Sequence, residues 1–207
     1  MTPTLEFYFD FLSPYTYLAS QQLPQIAKAH RAELTYRPFN LVALMPMVGN
    51  RPTTLECEAK GAYAITDLMR WATRTGIPFA PNPHWQAIDF PRLARGALVA
   101  IADNRGAVYV DAVFKALWRD VANLSNPNRL VAILDAAGLQ ADDILHAADD
   151  ADHIAQLARA TAAAAARGIF GSPTIFVGRE MFFGNDRLDF VAEALRETQA
   201  AVPIAVT

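Results

Sequence analysis

Residues 5–18 read LEFYFDFLSPYTYL, and this stretch decides the fold. Its first half, 5–11, is rich in aromatic side chains and alternates in polarity, which predicts a β-strand. Ser13 and Pro14 then signal the start of a helix, because serine is a preferred N-cap residue and proline fits the first helical position. A second strand is predicted at residues 33–39. Strands joined by a helical crossover run parallel, so the chain opens with a parallel β-α-β unit.

The periodicity changes after this opening unit. Residues 54–167 are almost wholly helical in pattern, with breaks at prolines, and Gly168 stands where a helix C-cap is expected. Strand signals return as TIFV at 174–177 and EMFF at 180–183, joined by a compact turn. An amphipathic helix over residues 187–199 is predicted to end the fold.

The predicted order is therefore β-α-β, a helical block, and β-β-α, which is the order of thioredoxin around an insertion. We predict an α/β fold in which residues 1–45 and 168–207 form one thioredoxin-like domain. Residues 46–167 are predicted to form a large inserted all-helical domain.

Composition narrows the class of protein. The 207 residues are 53% apolar and 19% charged, with a formal net charge of −3, which is typical of a globular protein. No basic stripe favours nucleic acid as a partner, and no apolar run reaches the length of a membrane span. The sequence also lacks the pattern of a signal peptide. The single cysteine, Cys57, forms no internal disulfide, which favours a cytoplasmic protein.

The loop after the first strand is where a thioredoxin-like fold carries its chemistry, because the free N–H groups of the following helix stabilise an anion. A redox member has Cys-x-x-Cys at this place, whereas residues 13–16 here read SPYT. Serine and threonine form no disulfide, so thiol redox chemistry is excluded at this site. The Ser13 hydroxyl is suited to donate a hydrogen bond to a thiolate brought by a cofactor. The alternative role of Ser13 is a simple helix N-cap.

Several short motifs together resemble a known family. FYFDFLSPY at residues 7–15 resembles the N-terminal motif of the 2-hydroxychromene-2-carboxylate isomerases and the related kappa-class glutathione transferases. Gly49-Asn50 and Lys60-Gly61 resemble shorter blocks of the same proteins. The tail is the most similar part, with FGSPT at 170–174 and FGNDRL at 183–188. The joint occurrence of these blocks in order makes the resemblance specific.

The resemblance implies glutathione as cofactor and a site that holds its sulfur. Ser13 would donate its hydroxyl to the sulfur. Pro173 would follow a cis peptide bond and face the Ser13 loop, and the backbone of Ser172 would pair with the cysteinyl part of glutathione. The alternative for Pro173 is an ordinary trans proline at the start of a strand.

The resemblance also implies residues for the two ends of glutathione. Asp186 would bind the ammonium of the γ-glutamyl end, and Asn185 its carboxylate. Asn50 and Lys60 match positions that reach the peptide backbone and the glycine carboxylate. The alternatives are an N-cap role for Asp186 and a solvated surface lysine at position 60.

The activity implied by the family is the cis-trans isomerisation of a 2-hydroxychromene-2-carboxylate in the breakdown of aromatic compounds, on a homodimer. A kappa-like glutathione transferase acting on small electrophiles and a non-catalytic glutathione-binding scaffold are the alternatives. Arg92 and Arg51 are candidates for binding the substrate carboxylate. The Pro-rich segment 80–91 differs from the family pattern and is expected to border the substrate pocket.

Other residues carry weaker signals. The histidines show no metal-ligand spacing with cysteine or carboxylates, so no metal site is predicted. Four apolar residues are expected to be either the wall of an apolar pocket or simply core: Phe39, Met45, Trp85 and Phe90.

Overall fold

The computed structural model describes residues 2–200 of the chain and shows one four-stranded mixed sheet in the order β2-β1-β3-β4. Strand β1 runs parallel to β2 and antiparallel to β3, and β3 and β4 form an antiparallel hairpin. The strands are β1 (Thr4–Phe9), β2 (Glu33–Pro38), β3 (Thr174–Val177) and β4 (Glu180–Phe183). The β-α-β opening and the β-hairpin predicted from the sequence are both present.

Ten α-helices accompany the sheet in the described residues. They are α1 (Pro14–Ala29), α2 (Leu41–Met47), α3 (Thr53–Glu56), α4 (Glu58–Thr75), α5 (Phe90–Ala102), α6 (Gly106–Trp118), α7 (Pro127–Ala136), α8 (Ala141–Ala148), α9 (Ala151–Ala166) and α10 (Leu188–Ala200). Short 3₁₀ turns lie at Trp85–Ala87 and Asn185–Arg187. Within the described part of the chain, no helix is long and apolar enough to cross a membrane.

The side chains of strand β1 point alternately to the two faces of the sheet. Leu5, Phe7 and Phe9 are fully buried in the main core. That core continues into the helical block through Phe114 of α6, whose ring lies 6.0 Å from that of Phe9 and 4.6 Å from that of Phe11. One continuous core therefore joins the sheet to the helices inserted between β2 and β3.

A second, smaller core covers the other face of the sheet. Phe39, Leu44 and Phe176 pack there, where α2 and α9 meet. At its edge the Arg167 guanidinium, just after α9, lies over the Phe176 ring at 3.7 Å and pairs with the Glu6 carboxylate at 2.7 Å. Helix α9 thus contributes to the layer that covers the sheet.

The predicted α/β architecture with a helical insertion is confirmed, since α3 to α8 lie between β2 and β3. The first strand ends at Phe9 rather than at residue 11, because the chain turns at Asp10, whose carboxylate accepts the Leu12 N–H at 2.7 Å. The domain boundaries at 45/46 and 167/168 stay a prediction, and residues 201–207 of the predicted sheet domain lie outside the described residues.

Candidate active site

Ser13 lies at the N-cap position of α1, with Pro14 as the first helical residue, as predicted. Its hydroxyl makes no capping hydrogen bond to the helix. Instead Ser13 Oγ donates to the Ser172 carbonyl oxygen at 3.2 Å, across 159 residues of sequence. The hydroxyl therefore points at the loop before β3, and the simple N-cap role is absent from this structure.

The loop before β3 faces the start of α1, as predicted. The Ser172–Pro173 peptide bond is cis. Ser172 is only 9% exposed, and its hydroxyl lies 2.8 Å from Thr16 Oγ1 and accepts the Asp10 N–H at 3.0 Å. Three hydrogen bonds therefore fix the position of this loop: two to Ser13 and Thr16 at the start of α1, and one to Asp10 just after β1.

Asp10 is a buried carboxylic acid beside this network, 2% exposed. Its Oδ1 accepts the Leu12 N–H and its Oδ2 accepts the Leu41 N–H, each at 2.7 Å. Burial raises the pKa of Asp10 from 3.8 to about 6, and the two backbone hydrogen bonds offset part of that rise. Asp10 therefore titrates close to neutral pH.

This raised pKa predicts a specific pH dependence of stability. A carboxyl whose folded-state pKa exceeds its unfolded value destabilises the folded state when ionised, so stability rises as the pH falls from about 6 toward 4. The full contribution is about 3 kcal/mol in the free energy of unfolding. Asp10→Asn should abolish this rise in stability at low pH. Urea unfolding between pH 4 and 7 should therefore show a difference in the free energy of unfolding between parent and variant that changes with pH. Parallel curves would contradict the raised pKa.

A cleft of about 380 Å³ lies between the first turn of α1 and the α3–α4 segment. Its lining is Tyr15, Thr54, Ala59, Lys60, Tyr63 and Ala64. The Tyr15 hydroxyl donates to Asp67 Oδ2 at 3.0 Å, and burial together with this carboxylate raises the Tyr15 pKa. Tyr15 is consequently a neutral donor at physiological pH. The predicted residue Lys60 thus lines the same cleft as Tyr15 in the first turn of α1.

Asn185 and Asp186 lie in the 3₁₀ turn before α10, and this turn contacts α1. Asn185 is 6% exposed, and within residues 2–200 its buried Nδ2 has no hydrogen-bond partner. A buried amide donor without a partner is uncommon and points to a missing ligand or water. Asp186 pairs with the adjacent Arg187 at 2.6 Å, and its charge contributes to the raised pKa of Tyr15. Both predicted residues therefore lie in a turn that packs against α1.

Asn50 contacts the chain before the Ser172 loop rather than the 185–186 turn. Its Nδ2 donates to the Phe170 carbonyl oxygen at 2.8 Å, and its Oδ1 accepts the Arg51 N–H at 2.8 Å. The Phe170 ring packs on Phe183 at 4.7 Å between centroids, just before the Ser172 loop. In this structure Asn50 holds the chain that leads into that loop.

The predicted apolar wall is not part of the cleft. Phe39 is fully buried in the second core and Phe90 is 7% exposed in the main core. Met45 packs against the second core and Trp85 against the main core. All four residues therefore follow the core alternative.

The Pro-rich segment and the two candidate arginines also lie away from the cleft lining. The segment is held to α6, since the Ala80 N–H donates to the Trp118 carbonyl oxygen at 2.8 Å. The expectation that residues 80–91 border the cleft is therefore wrong for the cleft described here. Arg92 forms a bidentate pair with Asp149 at 2.8 Å, and Arg51 pairs with Glu56 at 2.9 Å. Neither arginine lines the cleft.

Two signals in the sequence point to site residues that were not predicted. Tyr63, Ala64 and Asp67 follow the predicted Lys60 at i+3, i+4 and i+7, the spacing that places side chains on one face of a helix. Asp10 is an acid within an otherwise aromatic run, and an acid in such a position is either exposed at a turn or buried with partners.

Comparison with known proteins identifies the family of the chain. Residues 4–196 match the family model described as a DSBA-like thioredoxin domain. A 2-hydroxychromene-2-carboxylate isomerase from Sphingobium xenophagum is 31% identical over 196 residues, covering 94% of this chain and 99% of the relative. Glutathione S-transferase kappa 1 of Caenorhabditis elegans is 28% identical, covering 95% and 92%.

A solved structure extends the likeness to three dimensions. The selenomethionine structure of a 2-hydroxychromene-2-carboxylate isomerase superposes with a TM-score of 0.84 at 30% identity, covering 97% of this chain and all of the other. The fold and the match of the family model define a DSBA-like thioredoxin protein. Within that class, the chain belongs to the family of the 2-hydroxychromene-2-carboxylate isomerases, and the predicted family is confirmed.

Proposed function

We propose that this protein is a glutathione-dependent isomerase of the 2-hydroxychromene-2-carboxylate type, acting in the breakdown of aromatic compounds. The observation that carries the proposal is the position of the Ser13 hydroxyl. Ser13 stands at the start of α1, yet its hydroxyl does not cap the helix and lies 3.2 Å from the Ser172 carbonyl oxygen. A relative named as such an isomerase is 31% identical over almost its whole length. Its name supports the substrate class, and the site supports the chemistry.

The residues present fit glutathione. It is a tripeptide with an ammonium group, two carboxylates and a thiol. The buried Asn185 Nδ2, which has no partner within residues 2–200, offers a donor to a carboxylate. Lys60 lines the cleft and forms no ion pair with the described residues. Asp186 offers a carboxylate to the ammonium, in exchange for its contact with Arg187.

The start of α1 is suited to stabilise an anion near Ser13. Pro14 has no N–H, and the N–H groups of Thr16 and Tyr17 donate to the Ser13 carbonyl oxygen at 3.0 and 3.3 Å. The Tyr15 N–H is therefore the first-turn donor without a backbone acceptor in the described part of the chain. It adds to the Ser13 hydroxyl and to the positive end of the helix dipole. Together these groups favour a thiolate over a thiol.

When bound, glutathione supplies a nucleophilic thiolate that adds reversibly to the conjugated double bond of the ring-opened substrate and allows it to rotate. The protein's own part is to hold the anion at Ser13, to orient the peptide with the Ser172 loop and the 185–186 turn, and to enclose the substrate beside α4. The neutral Tyr15 hydroxyl lines the cleft and donates its proton to Asp67, so its oxygen is left to accept a hydrogen bond from a substrate hydroxyl.

A kappa-like glutathione transferase is the second candidate, favoured by the 28% identity to the kappa 1 enzyme of Caenorhabditis elegans. Such a transferase would use the same glutathione thiolate but would release the product with glutathione still attached, whereas the isomerase releases glutathione again. A glutathione-binding scaffold without chemistry is the third candidate. Assembly as a homodimer and a cytoplasmic location stay predictions, based on the family resemblance and on the single cysteine.

The experiment that tests the proposal measures turnover of 2-hydroxychromene-2-carboxylate by the purified protein, with and without glutathione. We expect conversion to the trans isomer that requires glutathione and does not consume it. Turnover of chlorodinitrobenzene but not of 2-hydroxychromene-2-carboxylate, with glutathione consumed, would support the transferase. Glutathione binding without turnover of either compound would support the scaffold.

A further inference from the structure

The carboxylate of Asp10 joins three segments of the chain at the start of α1. Its Oδ1 accepts the Leu12 N–H in the loop that leads to Ser13, and its Oδ2 accepts the Leu41 N–H at the first residue of α2. The backbone N–H of Asp10 donates to Ser172 Oγ, and the Ser172 carbonyl oxygen in turn accepts the Ser13 hydroxyl. A single residue thus links the Ser13 loop, α2 and the Ser172 loop.

These contacts are ones that an ionised carboxylate makes best. Both oxygens accept from backbone N–H groups at 2.7 Å, and a protonated carboxyl would turn one of its acceptors into a donor facing an N–H. Asp10 is buried and forms no ion pair with the described residues. No cation therefore compensates its charge, and the two N–H groups are its stabilising partners.

Among the described residues, the elements around Asp10 either carry no titratable side chain or have theirs bonded elsewhere. Helix α2 and residues 171–174 carry no titratable side chain. In the first turns of α1, the Tyr15 and Tyr17 hydroxyls are held by Asp67 and by the Pro78 carbonyl oxygen. On β1, Glu6 and Tyr8 are both held by Arg167, and Arg37 of β2 also pairs with Glu6.

We propose that Asp10 is a positioning residue of this site, whose carboxylate holds the Ser13 loop against the Ser172 loop so that the Ser13 hydroxyl is placed for the anion. The inference rests on the proposed function for the identity of that anion, a glutathione thiolate. Asp10 itself touches neither glutathione nor substrate in this scheme and acts through Ser13. Its loss should therefore have no further effect once the Ser13 hydroxyl is gone.

The test combines Asp10→Asn with Ser13→Ala and measures the thiol pKa of bound glutathione by its thiolate absorbance. We expect Asp10→Asn to reduce the thiolate population at neutral pH by about tenfold, which corresponds to one pKa unit. The double variant should match Ser13→Ala alone, because both changes remove the same interaction. Additive effects, or no effect of Asp10→Asn, would overturn the proposal. Asp89→Asn is the matched control, since Asp89 caps α5 through the Arg92 N–H at 2.8 Å.

A second measurement needs neither a variant nor glutathione. In the parent protein, the amide proton shifts of Leu12 and Leu41 should titrate with one common midpoint near pH 6. The Ala43 N–H, bonded to the neutral Asn40 side chain, is the control that should not follow it. Separate midpoints for the two amides would overturn the shared role of Asp10. If this titration is present but no glutathione thiolate forms in the parent, the proposed function fails and the link across Asp10 stands.

Discussion

Ser13→Ala should reduce the thiolate population of bound glutathione at neutral pH by ten- to a hundredfold. Loss of one hydrogen bond to a charged group costs about 1.5–3 kcal/mol, and 1.36 kcal/mol corresponds to one pKa unit. The Ser13 hydroxyl has no capping role to lose, so the helix should keep its stability. The Tyr15 N–H and the helix dipole remain in the variant, and residual activity should survive.

The measurement is the ultraviolet thiolate absorbance of bound glutathione against pH, together with its dissociation constant. Glutathione affinity should change little in Ser13→Ala, because the hydroxyl would meet only the sulfur of glutathione, in place of its present bond to the Ser172 carbonyl oxygen. Asp186→Ala should show the opposite balance, with weaker binding and activity recovered at high glutathione. Ser125→Ala is a suitable control, since that hydroxyl bonds to Asn123 in a remote turn. An unchanged thiol pKa in Ser13→Ala would assign sulfur activation to another group.

Phe114→Ala should lower the free energy of unfolding by about 3–5 kcal/mol, the usual cost of removing a buried phenylalanine ring. Phe114 is fully buried, and its ring contacts those of Phe11 at 4.6 Å, Phe9 at 6.0 Å and Tyr17 at 6.3 Å. Through Phe114, helix α6 meets both β1 and α1. A loss of this size is a large part of the 5–15 kcal/mol typical of a folded protein.

Urea unfolding of the two proteins measures this difference. Val108→Ala in the same helix is the matched control, because Val108 is 38% exposed and should change stability by no more than about 0.5 kcal/mol. Parent and Phe114→Ala should each unfold in one transition if the sheet and the helices share a core. A loss below about 1 kcal/mol, or two separate transitions, would show that the helical insertion folds independently of the sheet.

The order of strands and helices was predictable because local signals agree along the chain. The Ser13-Pro14 start of α1 and the TIFV and EMFF strands are found where the sequence placed them. The facing of Ser13 and Ser172 came from the family motifs, since no local signal connects residues 159 positions apart. Their hydrogen bond is a consequence of β1 pairing with β3.

Features that depend on packing were not predictable. Phe39 and Phe90 have the same apolar character as pocket residues, and only the positions of α2, α5 and α9 decide that they are core. The role of Asp10 depends on Leu41, whose N–H is brought to it by the return of the chain after β2. Lys60 and Asp67 share a helix face that the pattern shows, but the Tyr15 hydroxyl that meets Asp67 comes from α1.

The central position of β1 has a consequence for synthesis on the ribosome. Its partner β2 emerges early, whereas its other partner, β3, begins only at Thr174. For most of translation β1 therefore has one free edge, and Ser13 lacks Ser172. An isolated strand edge invites pairing with other chains, so the nascent protein depends on its helices for cover until the last strands arrive. Chains released before residue 174 should be inactive and prone to aggregate.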